Sequence, residues 1–252
     1  MRKYEVELLI YGSISTKEII SFNTDKELDF GNVFNSEITI RNCPQGIRLS
    51  TTVYTTDTDR AYKVALLFIG KMLDILSVKT NIPLIVTNND FRITTEKSKI
   101  RAQIDKEEFK YCFETSRFLN LNEPIILRSF NWYRKGLYTE DPFDKFLALW
   151  NSIEVIAAKY HTKNERTKRG IINQIWNCFE SLWGNDVANW IDIDGDINWI
   201  NDNNEIRNNI AHGVISVEIH HVEEVIQRIE PIKKVAYRFL LAWANKCNTN
   251  LY

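Results

Sequence analysis

The sequence predicts an α+β protein: a small strand-rich α+β domain over residues 1–120, then an all-helical bundle over residues 121–252. Three observations carry this reading. Period-two alternation, the mark of half-buried strands, is confined to the chain before about Thr95. After Pro124 the apolar residues recur at three- and four-residue spacing, the mark of amphipathic helices. All seven tryptophans, from Trp132 to Trp243, fall in the second part, where most are expected to fill space between helices.

The strands are expected at Tyr4 to Ile10, Glu37 to Ile40 and Ile47 to Tyr54. Turn-like residues separate them at Gly12, Asn23 to Asp25, Gly31-Asn32 and Cys43 to Gly46. One helix interrupts them. Asp57 to Asp59 supplies its acidic first turn, and Ala61, Val64, Ala65, Phe68, Met72, Ile75 and Leu76 form its apolar stripe. Asn81-Ile82-Pro83 and Asn88-Asn89-Asp90 punctuate two short extended pieces, and Lys106 to Leu119 turns helical.

In the second part, Pro142 to Tyr160 carries the stripe Phe143, Phe146, Leu147, Trp150, Ile153 and Ala157, with Glu154 inside it. A carboxylate among apolar residues is costly unless a cation or donor meets it, and Arg207 is the favoured partner; the alternative is that Glu154 sits at the stripe's edge and reaches water. Lys168 to Trp183 and Asn198 to His212 read as further helices. A long last pattern from Val217 to Lys246 places Val222, Val225, Ile226, Ile229, Val235, Phe239, Leu240 and Trp243 on one face, with Pro231 expected to kink or restart it.

Composition narrows the function classes. Of 252 residues, 44% are hydrophobic and 26% charged, which describes a globular protein. The net charge of −1 argues against coating a polyanion nonspecifically, so any nucleic-acid contact must be local. Cys43, Cys112, Cys178 and Cys247 are scattered without paired spacing, which fits small core hydrophobes in a reducing cytoplasm rather than a disulfide frame. The N-terminus lacks the apolar run of a signal peptide, and no segment is long and uncharged enough to span a bilayer.

The most specific chemistry lies at Arg207-Asn208-Asn209-Ile210-Ala211-His212-Gly213. Asn208 and His212 are an i,i+4 pair on one helix face, whereas Arg207 and His212 stand about 140° apart. Gly213 can take the left-handed conformation that ends a helix and so places His212 in the final turn. An imidazole that trades protons near neutral pH, beside a fixed guanidinium, is suited to phosphodiester cleavage. The bland alternative is structural, with Asn208 and His212 bonding helix-end carbonyls and Arg207 held in an ion pair with Glu154.

This arginine, polar residue and helix-end histidine resemble the signature of HEPN domains. The upstream stretches Asn131-Trp132-Tyr133-Arg134-Lys135-Gly136-Leu137 and Asp141-Pro142-Phe143-Asp144-Lys145-Phe146-Leu147-Ala148-Leu149-Trp150-Asn151-Ser152-Ile153-Glu154 are similar to the opening helices of the ApeA-like branch and of MauJ-like proteins. The resemblance covers roughly the C-terminal half. It implies a homodimeric, metal-independent endoribonuclease without cofactors, of defence or stress type, leaving 2′,3′-cyclic phosphate and 5′-hydroxyl ends. His212 would move the proton, Arg207 would stabilise phosphoryl charge, Asn208 would orient the phosphate or His212, and Glu154 would support the arginine. Such bundles also occur as noncatalytic dimerisation modules. The N-terminal domain would then sense a trigger ligand or hold a partner.

Lys159, His161, Lys163, Arg166, Lys168 and Arg169 form a basic run that is either a solvated loop or an RNA-contacting lip beside the motif. Asp192 to Asp196 suggests a calcium loop but has Ile197 where a tight-turn glycine is needed and Asn203 in place of a bidentate glutamate, so it reads as an acidic turn. His220-His221 are expected to point apart on a helix and stay at the surface. No phosphate-cradling glycine loop, nucleophile elbow or zinc helix is present.

Overall fold

The computed structural model describes residues 2–28, 32–87, 101–193, 195–213 and 219–247. It is an α+β protein, with a five-stranded antiparallel sheet and its two helices followed by five more helices. The chain divides into two compact units, Met1–Asn122 and Glu123–Tyr252. Gly31, Asn88 to Asp90 and Asp194, named above as turn residues, lie outside the described residues.

In the first unit, β1 (Arg2–Tyr11), β3 (Ile20–Leu28), β4 (Asn32–Cys43), β5 (Gly46–Thr55) and β6 (Ile85–Thr87) form the sheet in the order β3-β4-β5-β1-β6. β1 pairs with β5 along its whole length, from Arg2 opposite Thr55 to Tyr11 opposite Gly46. The short strands β2 (Ile14–Ser15) and β7 (Ala102–Gln103) pair in parallel. Leu8, Ile10, Ile38, Ile40, Ile47, Leu49 and Val53 are buried in the sheet.

Asn23 to Asp25 do not turn. They run inside edge strand β3, opposite Glu37, Ser36 and Asn35. Phe22 is buried while Ser21, Asn23 and Asp25 are exposed, so the turn-favouring side chains occupy the wet face of a strand whose register is set by the apolar ones.

Helix α1 (Thr58–Thr80) starts where Asp57 accepts the Arg60 N–H at 2.8 Å and ends at Asn81 in the left-handed region. The Arg60 backbone N–H, and then the Thr56 side-chain hydroxyl that also donates to it, hold the Asp57 carboxyl below the usual range. α1 buries Ala61, Ala65, Ile69, Met72, Leu73 and Leu76. Helix α2 (Lys106–Asn122) adds Phe109 and Phe113, the latter ring 5.9 Å from Phe22 and 5.0 Å from Phe68.

Gly70 stands in the middle of α1, and a β-carbon there would meet nothing within 4 Å. Gly70→Ala is therefore expected to stabilise the first unit by about 0.5–1 kcal/mol, through helix propensity and reduced freedom of the unfolded chain. An unchanged or lower denaturant midpoint for that unit would refute this.

The second unit consists of α3 (Pro124–Tyr138), α4 (Pro142–Tyr160), α5 (Ile171–Trp183), α6 (Trp199–Ala211) and α7 (Ile219–Lys246). Asp141 caps α4 by accepting the Asp144 N–H at 2.9 Å, with Pro142 opening the helix. The Ser129 hydroxyl of α3 donates to the Ser152 carbonyl of α4 at 2.6 Å. Phe179 is the hub of an aromatic core, its ring centroid 4.8 Å from Phe239, 4.9 Å from Trp183, 5.5 Å from Trp190 and 6.2 Å from Trp199. Trp150, Trp190, Trp199 and Trp243 are buried, whereas Trp132, Trp176 and Trp183 are half-buried.

Helices α5 and α7 differ from the sequence expectation. α5 begins at Ile171, not Lys168, because Gly170 at φ 119° separates it from a single 3₁₀ turn, Thr167–Arg169. α7 continues unbroken through Pro231; the ring is on the exposed side, so the missing N–H costs one hydrogen bond at a wet position. Val217 is outside the described residues, and Ile226 is 52% exposed rather than part of the core.

Only two cysteines, Cys112 and Cys178, are core residues; Cys43 and Cys247 are half-buried, and all four are free thiols. Burial pushes the Cys178 thiol up to about 12. The rings of His220 and His221 do not point apart but lie 3.9 Å from centroid to centroid. They occupy the first turn of α7, where no preceding turn restricts their rotamers.

Candidate functional site

The site is built on α6, which is held on one side by aromatic packing. Trp199 and Ile200 are buried at its start, and the Trp199 ring lies 6.0 Å from Trp150 of α4. Trp176 of α5 donates its ring N–H to Asn201 at 3.3 Å. Trp199 and Asn201 thus meet α5 at Phe179 and Trp176 respectively, so α6 ascends as α5 descends. The C-terminal end of α6, with His212, therefore shares an end of the unit with the α4–α5 connection.

One turn before that end, Arg207 reaches across to Glu154. Its Nη2 donates to Oε2 at 3.2 Å, and its Nε lies 3.1 Å from Oε1, an ion-pair contact whose angle is too poor for a hydrogen bond. Glu154 is only 13% exposed along its side chain and Arg207 28%. Trp150, one turn earlier on α4, donates its Nε1–H to Glu154 Oε1 at 2.9 Å. Arg207 Nη1 also donates to Asn208 Oδ1 at 3.2 Å.

The carboxylate inside the apolar stripe is thus satisfied by a guanidinium and an indole, as a half-buried charge requires. The guanidinium in turn is fixed in direction while part of it stays open to solvent. Trp150 was not anticipated as a site residue; its i,i+4 spacing from Glu154 on one helix was the available signal.

His212 follows as the C-cap of α6, exposed, with its backbone N–H donating to the Asn208 carbonyl at 3.0 Å. Gly213 takes φ 64° and donates to the Ile210 carbonyl at 3.1 Å, which closes the helix as expected for a left-handed terminus. Among the described residues no hydrogen bond engages the His212 ring. The structure therefore joins Arg207, Asn208 and Glu154 and leaves His212 projecting separately; the Asn208 side chain turns to Arg207, not to His212.

The basic run divides in two. Arg166 is bound to Glu180, its Nη1 2.7 Å from Oε1 and 2.9 Å from Oε2, and Lys168 is paired with Glu165. His161 is within hydrogen-bond distance of the Ala157 carbonyl at 2.8 Å. Lys159, Lys163 and Arg169 are exposed and form no ion pair among the described residues.

Asp192 and Asp196 serve structure, the first 3.2 Å from Arg238 Nε and the second accepting the Asn198 N–H at 2.9 Å. Among the described residues no group of three histidine, cysteine or acidic side chains is arranged to hold a metal. On the face of α6 away from Arg207, a groove of about 280 Å³ separates it from α7 and is lined by Asp202, Glu205, Ile206, Asn209, His221, Glu224 and Arg228. No helix among the described residues is long and apolar enough to cross a membrane.

No protein-family model, curated protein or solved structure matches this chain. The functional reading therefore rests on the site itself and on the motif resemblance.

Proposed function

We propose that this protein is a metal-independent endoribonuclease of HEPN type, acting in the cytoplasm as a homodimer, with a defence or stress role. The observation that carries the reading is the guanidinium of Arg207, clamped by Glu154 and Asn208 yet partly open, five residues before an exposed imidazole at a helix end. A cation held in a fixed direction can stabilise charge that develops on phosphoryl oxygens without reorganising first.

In the proposed reaction an imidazole removes the proton of the ribose 2′-hydroxyl, and O2′ attacks the adjacent phosphorus. The P–O5′ bond breaks, the O5′ leaving group takes up a proton, and the products are a 2′,3′-cyclic phosphate and a 5′-hydroxyl. Neither metal nor cofactor enters this balance.

On one helix Arg207 and His212 are separated by about 7.5 Å of rise and 140° of rotation, so they diverge. Two copies of α6 facing each other across a two-fold axis would bring both arginines and both histidines to one phosphate, one imidazole as base and the other as acid. Lys159, Lys163 and Arg169 are the cations at this end free to meet flanking phosphates, whereas Arg166 and Lys168 are already engaged. The first unit would carry the trigger or partner contact.

The second reading, a noncatalytic dimerisation module, is favoured by the same Glu154–Arg207–Trp150 contacts, because they also describe a structural arginine. The deciding experiment incubates the purified chain with end-labelled RNA in EDTA and reads the fragment ends. Cleavage leaving cyclic phosphate is expected; intact RNA with a dimeric protein would overturn the ribonuclease reading in favour of the module.

A further inference from the structure

Helix α3 presents a cationic solvent face. From Pro124 to Tyr138 it contains no acidic residue. Arg128, Trp132 and Lys135 fall within an arc of about 60°, on the side opposite the buried Ile126, Phe130 and Tyr133. Arg128 and Lys135 are exposed, and Trp132 is half-buried between them with the Lys135 Nζ 5.1 Å from its ring centroid.

Five other exposed or half-exposed arginines meet carboxylates: Arg48 with Glu7, Arg117 with Asp25, Arg166 with Glu180, Arg228 with Asp202 and Arg238 with Asp192. Among the described residues neither Arg128 nor Lys135 has such a partner. A tryptophan in the middle of a helix's wet face, flanked by cations without carboxylate partners, has the makeup that single-strand binders use to stack a base between phosphate contacts.

We propose that this face of α3 is a docking stripe for single-stranded RNA, with a base against Trp132 and neighbouring phosphates on Arg128 and Lys135. This rests on the ribonuclease reading and adds a second RNA contact to it. The stripe is not part of the cleavage site. α3 packs on the Leu149 and Ser152 side of α4, as the Ser129 bond and the close approach of Gly136 to Leu149 show, whereas Arg207 reaches the Trp150 and Glu154 side. The two sides are about 150° apart around α4. An RNA must therefore span several nucleotides to touch both, and a very short one reaches the cleavage site alone.

The test uses the full chain carrying His212→Ala, so that bound RNA persists, and fluorescein-labelled single-stranded RNA of about twenty nucleotides in an anisotropy titration; the length is chosen to exceed the site sizes of about 4–16 nucleotides seen for single-strand binders. Adding Trp132→Ala, or Arg128→Gln with Lys135→Gln, is expected to weaken binding about tenfold, the double charge variant also flattening the salt dependence. In the chain with His212 intact, the same substitutions should leave cleavage of a dinucleotide unchanged. Unaltered affinity in both variants, no binding by the parent, or equal binding of duplex RNA insensitive to Trp132→Ala would overturn the stripe. Parent binding that falls in the variants, without cleavage by the His212-intact chain, would retain the stripe while removing the nuclease.

Discussion

On the proposed ribonuclease reading, His212→Ala is expected to lower RNA cleavage by about 10²- to 10⁴-fold, the range for loss of a positioned general acid or base. Its unfolding free energy should move by less than about 0.5 kcal/mol, because the ring is exposed and the helix is closed by backbone bonds from His212 and Gly213 that alanine preserves at position 212. Arg207→Ala should behave differently. It leaves Glu154, 13% exposed along its side chain, with only the Trp150 N–H. Removing one partner of a fully buried pair costs about 3–5 kcal/mol, and at this half-open site about 2 kcal/mol is expected, together with lost cleavage. Denaturant unfolding and single-turnover cleavage on the same preparations separate the two effects. If His212→Ala lost as much stability as Arg207→Ala and no rate, the assignment of a proton-transfer role to His212 would fail.

Phe179→Ala is expected to destabilise the second unit by about 3–5 kcal/mol, the range for deleting a buried aromatic side chain. Phe179 is fully buried and its ring contacts Trp183, Trp190, Trp199 and Phe239, contributed by α5, the segment before α6, α6 itself and α7. No single neighbour can move to fill the space, since each is held by another ring. Because the chain has two compact units, unfolding followed by circular dichroism should resolve a transition that shifts and one that does not. A uniform loss across both, or a shift below about 1.5 kcal/mol, the level of a tolerated volume-conserving swap, would mean that Phe179 is not the hub of this core.

The site was legible where the sequence carried a local physical conflict or a backbone demand. Glu154 inside an apolar stripe calls for a cation, and Arg207 stands beside it. Gly213 after a periodic run calls for a left-handed helix end, which it forms at φ 64°. The helical pattern beginning at Pro142 calls for a helix start there, and α4 opens at that residue. What stayed hidden depended on tertiary placement. Asn23 to Asp25 favour turns alone, but Phe22 and the pairing with β4 draw them into an edge strand. Pro231 breaks helices in isolation, but in α7 it faces water and the flanking turns are held by packing. The direction of the Asn208 amide was equally unreadable, because rotation about its side chain allowed either Arg207 or His212.

The confinement of tryptophan to the second unit gives the chain a built-in optical reporter of that unit alone. Trp132 to Trp243 all lie beyond Asn122, whereas the tyrosines are shared, with Tyr4, Tyr11, Tyr54, Tyr62 and Tyr111 in the first unit and Tyr133, Tyr138, Tyr160, Tyr237 and Tyr252 in the second. Light absorbed by indole alone reports on the helical unit without any introduced dye. A ligand of the first unit that alters indole emission would thereby reveal, in one cuvette and without a substitution, that the two halves of the molecule communicate.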